Sequence, residues 1–215
     1  MQFKEDATVY TAEGERVGQV DRVIIDPVSK EVTHLVVRKG FFFTEDRVLP
    51  VDLVASTSED RVSLRRQAGD LDDLPYFEVE QYVNLDQEEI ERAAYPVDFA
   101  PPLYWYPSGG AAPIGYPGYP GAPYFIKVER NIPDFTVALK EGAKVVASNG
   151  DRVGDVEEVI TDPDDNIITH FLISKGGLFK HHKLIPVLWV SRLEENEVHL
   201  NVGPQMLKDL PEYRG

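Results

Sequence analysis

The chain contains no cysteine. Disulfide frameworks, zinc thiolate centres and cysteine nucleophiles are therefore excluded. No apolar run approaches the roughly 18 residues that a membrane-spanning helix requires. The first six residues, MQFKED, contain no apolar h-region of the kind a secretory signal carries. Both absences point to a cytoplasmic protein without a transmembrane segment. Basic charge is scarce as well: 22 Lys and Arg stand against 37 Asp and Glu, a net charge of −15. The deficit is even along the chain, with 10 basic and 15 acidic groups in residues 1–75, 3 and 8 in 76–130, and 9 and 14 in 131–215. Non-specific nucleic-acid affinity comes mostly from phosphate neutralisation. With no basic segment, direct nucleic-acid binding is not expected, nor is attachment to an anionic membrane. The acidic surface is what keeps a cytoplasmic protein soluble. No Gly-x-Ser-x-Gly elbow, Walker loop or dinucleotide fingerprint is present. No catalytic constellation emerges, so the chain is not read as an enzyme, and no cofactor or metal is expected.

What the chain does have is a duplication. Residues 14–54, GERVGQVDRVIIDPVSKEVTHLVVRKGFFFTEDRVLPVDLV, pair without a gap with residues 150–190, GDRVGDVEEVITDPDDNIITHFLISKGGLFKHHKLIPVLWV, at an offset of 136 positions. The identities concentrate in Arg-Val-Gly, the Asp-Pro turn, Thr-His, Lys-Gly and Pro-Val. The register continues outward through Val9/Val145, Val62/Val198, Leu64/Leu200, and the Leu-Pro pairs Leu74-Pro75 and Leu210-Pro211. A period this long is not a solenoid repeat. It is a duplicated domain of about 75 residues, within the usual range.

These motifs carry a family resemblance. Gly-x-x-Val-Gly-x-Val, then Asp-Pro, Val-Thr-His-Leu-Val-Val, a basic residue with Gly, and Leu-Pro-Val resemble the PRC-barrel family. That small β-barrel is shared by the photosynthetic reaction-centre H subunit, a ribosome maturation factor and many uncharacterised bacterial proteins. The resemblance covers roughly residues 3–75 and 139–213. It implies a mainly β fold of two tandem small barrels, each of about five or six strands, joined by a short helix and an irregular Pro/Gly/Tyr-rich connection. The domains are drawn at 1–77, 78–130 and 131–215. The resemblance also implies a non-enzymatic interaction or scaffold protein. This chain lacks the transmembrane anchor of the reaction-centre subunit and the extra N-terminal domain of the ribosome factor, so neither role transfers intact.

The residues support that architecture. Arg16 to Ile25 reads as a strand whose apolar positions Val17, Val20 and Val23 break strict alternation, and Gly18 sits where a bulge would reset the phase. Asp26-Pro27-Val28-Ser29-Lys30 is a turn. In the strand from Glu31 to Arg38, alternation puts Val32, His34 and Val36 on one face and Thr33, Leu35 and Val37 on the other. In the second copy Ile168, His170 and Leu172, and Thr169, Phe171 and Ile173, match them. Each copy ends in a short helical turn over one barrel mouth, at 70–74 and 205–210. Residues 85–94 read as an acidic helix with Asp86 as N-cap and Glu89 at the capping-box spacing, stopped by Pro96.

Four features are candidates for chemistry. His34 and His170 share a repeat position among Val and Leu neighbours and read as structural histidines. His181-His182 is the sole His cluster. Neighbouring strand residues point to opposite faces and chelate poorly as a pair, and Lys180 and Lys183 repel a cation, so a solvated loop tip is expected. His181 and His182 remain candidate interaction residues, since Glu45-Asp46 stands at the matching place in the first copy and could attract them. Residues 162–166 resemble a calcium loop only in composition and read as a plain turn. Residues 96–125 hold eight aromatics among many Pro and Gly. The segment is either a flexible linker or a docking element, with Tyr104, Trp105, Tyr106, Tyr116 and Tyr119 as candidate contacts. The expected partner is another protein or a second copy of the chain. The alternative is a ligand-binding protein or enzyme with a site between the two barrels.

Overall fold

The computed structural model describes residues 1–4, 6–39, 45–58, 60–66, 73–84, 124–175 and 181–213. The fold is mainly β, with one short helix, α1 (Pro204–Lys208), among the described residues. The acidic helix expected at 85–94 and the aromatic stretch 96–125 lie outside the described residues, apart from the strand that begins at Tyr124.

The first copy supplies β1 (Gln2–Lys4), β2 (Thr8–Tyr10), β3 (Arg16–Ile25), β4 (Val32–Lys39), β5 (Glu45–Pro50), β6 (Val54–Ser58) and β7 (Arg61–Leu64). Between the copies run β8 (Glu78–Asn84) and β9 (Tyr124–Arg130), which pair with each other. The second copy supplies β10 (Val137–Lys140), β11 (Lys144–Val146), β12 (Arg152–Thr161), β13 (Ile168–Lys175), β14 (His181–Pro186), β15 (Val190–Leu193) and β16 (Glu197–Leu200). The first sheet runs β5-β4-β3-β2-β7-β6 and the second β14-β13-β12-β11-β16-β15. In each, the two end strands are consecutive in the chain, linked by a 3-10 turn at Val51–Leu53 or Val187–Trp189. The chain therefore ties the two edges of the sheet together at one corner, the arrangement of a small rolled-up barrel.

Each sheet has a seventh strand, and it comes from the other copy. β1 pairs with β12, with Phe3 opposite Val159, and β10 pairs with β3, with Leu139 opposite Val23. Phe3 and Leu139 are equivalent repeat positions, so the exchange is reciprocal. A second reciprocal contact joins the Asp-Pro turns. The Val32 amide donates to the Asn166 carbonyl at 3.0 Å, and the Ile168 amide to the Lys30 carbonyl at 2.8 Å. Lys30 and Asn166, again equivalent, both hold positive φ, 64° and 59°. Buried residues of both copies accordingly merge into one continuous apolar cluster. Residues 1–78 and 130–215 form one compact unit, and 79–129 a second.

The bulges explain why simple alternation misplaces Val32. β3 gains an extra residue at Val17 against β2 and at Asp21 against β4, and β4 gains one at Thr33 against β3. The extra Thr33 shifts the phase, so Val32 joins Leu35 and Val37 in the main core, while Val36 packs outside it with Ile24, Val48, Phe77 and Ala138. Ile168, Phe171 and Ile173 repeat this in the second copy. Gly18 is required beside the first bulge, because a Cβ there would lie 2.6 Å from the Arg38 carbonyl oxygen. Gly154 meets the Ser174 carbonyl oxygen at 2.7 Å.

Candidate functional site

The expected candidates fall in different places. Tyr104, Trp105, Tyr106, Tyr116 and Tyr119 lie outside the described residues. His34 and His170 sit in β4 and β13, opposite Ile24 and Ile160, and each faces the proline that ends the next strand, Pro50 or Pro186. Burial holds the His34 imidazole below its ordinary pKa against the opposing pull of Asp52, which fits a histidine used for packing.

The pair His181-His182 is not a loop tip. Both residues begin β14 and pair with Lys175 and Ser174. The strand period sends them to opposite sides. His182 is half-buried, and its carbonyl accepts the Tyr213 amide at 2.8 Å. His181 is exposed, with its Nδ1 2.7 Å from Glu212 Oε1. That carboxylate is distant in sequence, and only the return of the C-terminal segment brings it there.

The neighbouring position carries a device that sequence reasoning missed. Arg47 and Lys183 are equivalent. Arg47 Nη1 donates to the Leu74 carbonyl at 2.7 Å, and its guanidinium stacks 3.6 Å from the Tyr76 ring centroid. Lys183 Nζ donates to the carbonyls of Leu207, Lys208 and Leu210 at 2.6, 3.1 and 3.0 Å. A cation at this place ties down the Leu-Pro turn in both copies, and in the second it satisfies carbonyls left open at the end of α1. The signal was present as a conserved charge sign at offset 136, beside the Leu-Pro pairs.

Around Lys183 the second barrel opens in a cavity of about 170 Å3 lined by Val153, Ile173, Leu207, Lys175, His181 and Lys208, with Pro204 at its edge. Val153, Ile173 and Leu207 are buried, whereas Lys175, His181 and Lys208 are exposed. The cavity thus has an apolar floor and a cationic rim.

The junction between the copies is filled by contrast. The gap bounded by Phe3, Val23, Leu139 and Val159 amounts to about 10 Å3, room for about one water molecule. Beside it runs a chain of alternating charges. Glu78 meets Arg130 at 3.0 Å, Arg130 meets Glu195 at 2.8 Å, Arg22 links Glu195 to Asp21, and Arg38 links Asp21 to Asp46. Burial alone would raise the Glu195 carboxyl, but hydrogen bonds from Arg130 and Arg22 outweigh it and hold the group below its ordinary value. The Arg22 and Arg130 guanidinium groups lie 5.2 and 5.5 Å from the Phe77 ring centroid. These ion pairs link the two copies.

Glu194, Glu197 and His199 gather their ligand atoms within 4.8 Å. Arg192 engages two of the three, with its Nε 3.1 Å from Glu194 and its Nη2 3.2 Å from His199 Nε2. The group reads as an ion-pair cluster.

Comparison with known proteins accords with the geometry. The profile of the PRC-barrel domain matches residues 5–71 and again residues 137–205. An uncharacterized protein of Deinococcus radiodurans is 27% identical over 85 residues, which cover 39% of this chain and 31% of that protein. The aligned stretch thus spans under a third of the relative's length.

Proposed function

This chain belongs to the PRC-barrel domain family, and on that premise we propose that it is a non-enzymatic interaction or scaffold protein, acting in the cytoplasm on another protein or on a second copy of itself. The observation that carries the reading is where the insertion between the copies begins and ends. Glu78 and Arg130 ion-pair at 3.0 Å, and β8 and β9 pair as a two-stranded sheet. The copies are already joined by exchanged strands, so nothing requires residues 79–129 to span a distance between them. An insertion whose ends meet, and whose sequence is rich in Tyr, Trp, Pro and Gly, fits a contact element better than a tether. Tyr and Trp bury large areas with few rotors and dominate interface hot spots. Pro pre-sets an extended backbone and lowers the ordering cost.

Tyr104, Trp105 and Tyr106 are the central contacts in this reading, with Tyr116 and Tyr119 flanking. The test is Trp105 fluorescence in a Trp189→Phe background, followed with an aqueous quencher across protein concentration and after pull-down from the native host. A blue shift and protection that appear only on association are expected. A Trp105 that stays fully quenchable in every condition, with the segment cut rapidly by protease, overturns the reading. Protection already complete in the monomer overturns it as well, because the contact is then internal.

A further inference from the structure

We propose that the mouth of the second barrel binds a small amphipathic carboxylate, an acid with a short apolar tail. The proposal does not rest on the reading of the aromatic insertion. Three observations converge. The first is shape. The cavity of about 170 Å3 is floored by the buried side chains of Val153, Ile173 and Leu207. A volume of this order suits an acid of about six carbons.

The second is charge. Lys175, Lys183 and Lys208 ring the floor together with His181 in a chain whose net charge is −15. Lys183 is committed to three carbonyls, yet its charge remains at the rim. His181 has Glu212 as partner. Among the described residues, neither Lys175 nor Lys208 has a carboxylate within ion-pair distance. Their ammonium groups are therefore available to an incoming anion above the apolar floor.

The third is the difference between the copies. The positions matching Val153, Ile173 and Leu207 are Val17, Val37 and Leu71, apolar in both copies. The positions matching His181 and Lys208 are Glu45 and Asp72. In sequence, two acidic residues of the first copy are thus replaced by His181 and Lys208 in the second. The positive charge at the second mouth runs against the net charge of the chain. An apolar tail on the floor with a carboxylate between Lys175 and Lys208 uses both features at once.

The test is methyl NMR of Val153, Ile173 and Leu207 in the full chain, titrated with hexanoate, with hexan-1-ol and with inorganic phosphate. Saturable shifts of these three methyl groups with hexanoate, and much weaker ones with the other two, are expected. Lys208→Asp, which installs the residue found at the matching first-copy position, should weaken hexanoate by about ten-fold, and Lys175→Gln by about three-fold. Both side chains are exposed, so an unchanged Tm in both variants shows that the fold is intact. Three results overturn the proposal: no saturable shift with hexanoate, hexan-1-ol binding as well as hexanoate and indifferent to Lys208, or phosphate binding as well as hexanoate.

Discussion

Phe3→Ala is the perturbation that tests the exchange of strands most directly. Phe3 is 1% exposed and lies opposite Val159 of the other copy. A three-residue strand near a chain end ordinarily frays, and its loss then costs little global stability. Here the side chain is part of the continuous core. Truncating a buried Phe removes its transfer free energy and leaves a cavity, about 3–5 kcal/mol in total. For a chain of this size, about 1 kcal/mol shifts Tm by roughly 2–4 °C, so a fall of roughly 6–20 °C is expected. Leu139 is the equivalent residue, 2% exposed and opposite Val23, and Leu139→Ala should cost about 2–5 kcal/mol. The decisive assay is urea unfolding read by Trp189 fluorescence in a Trp105→Phe background, beside amide exchange at Val9 and Val23 and at Val145 and Val159. Because each copy completes the other's sheet, either truncation should lower one shared transition, with amides in both copies losing protection together. A Phe3→Ala midpoint within about 0.5 kcal/mol of the parent, or two separate transitions with only one displaced, would refute the reasoning.

Two further outcomes follow from the same geometry. Gly18→Ala places a Cβ 2.6 Å from the Arg38 carbonyl oxygen, and Gly154→Ala one 2.7 Å from that of Ser174. Each should cost about 1–3 kcal/mol in urea unfolding, while Gly203→Ala, 3.9 Å from its nearest neighbour, stays within about 0.5 kcal/mol, and equal costs at all three would remove the close-approach argument. The Glu195 carboxyl is held below its ordinary value of 4.5. The unfolded chain therefore takes up its proton first as pH falls, and this contribution, full above that value, is lost as pH drops through the folded one. Glu195→Gln should flatten the decline of the urea midpoint in the acid range, and an unchanged acid slope would contradict the ion-pair assignment.

The duplication, the succession of strands along each copy and the glycines at the bulges are legible in the sequence because they are local. Two copies of one pattern at a fixed offset must fold alike. A Gly beside a phase break reports a bulge, and Asp-Pro reports a turn. His34 and His170 were placed correctly in mid-strand because their Val and Leu neighbours left them no other setting. Bulge positions were only half visible. The break at Gly18 shows in the spacing of Val17, Val20 and Val23, but the extra residue at Thr33 does not, because a strand with apolar residues on both faces looks the same in either phase. His181-His182 reads as a loop tip in sequence but begins a strand, since two polar residues beside lysines give no alternation to follow.

What only the tertiary structure decided is which copy each strand serves. Phe3 and Leu139 carry the same apolar signal whether they pair within their own repeat or with the other, for the backbone hydrogen bonds and the buried area are alike in both arrangements. The same holds for the second mouth. Val153, Ile173, Lys175, His181, Lys183 and Lys208 lie on three strands and a helix, spread over more than fifty positions. No spacing rule joins them. They become one cavity only when β12, β13, β14 and α1 close around it. Sequence set the residue types by local propensity and pattern, and long-range closure decided which of them face the same space.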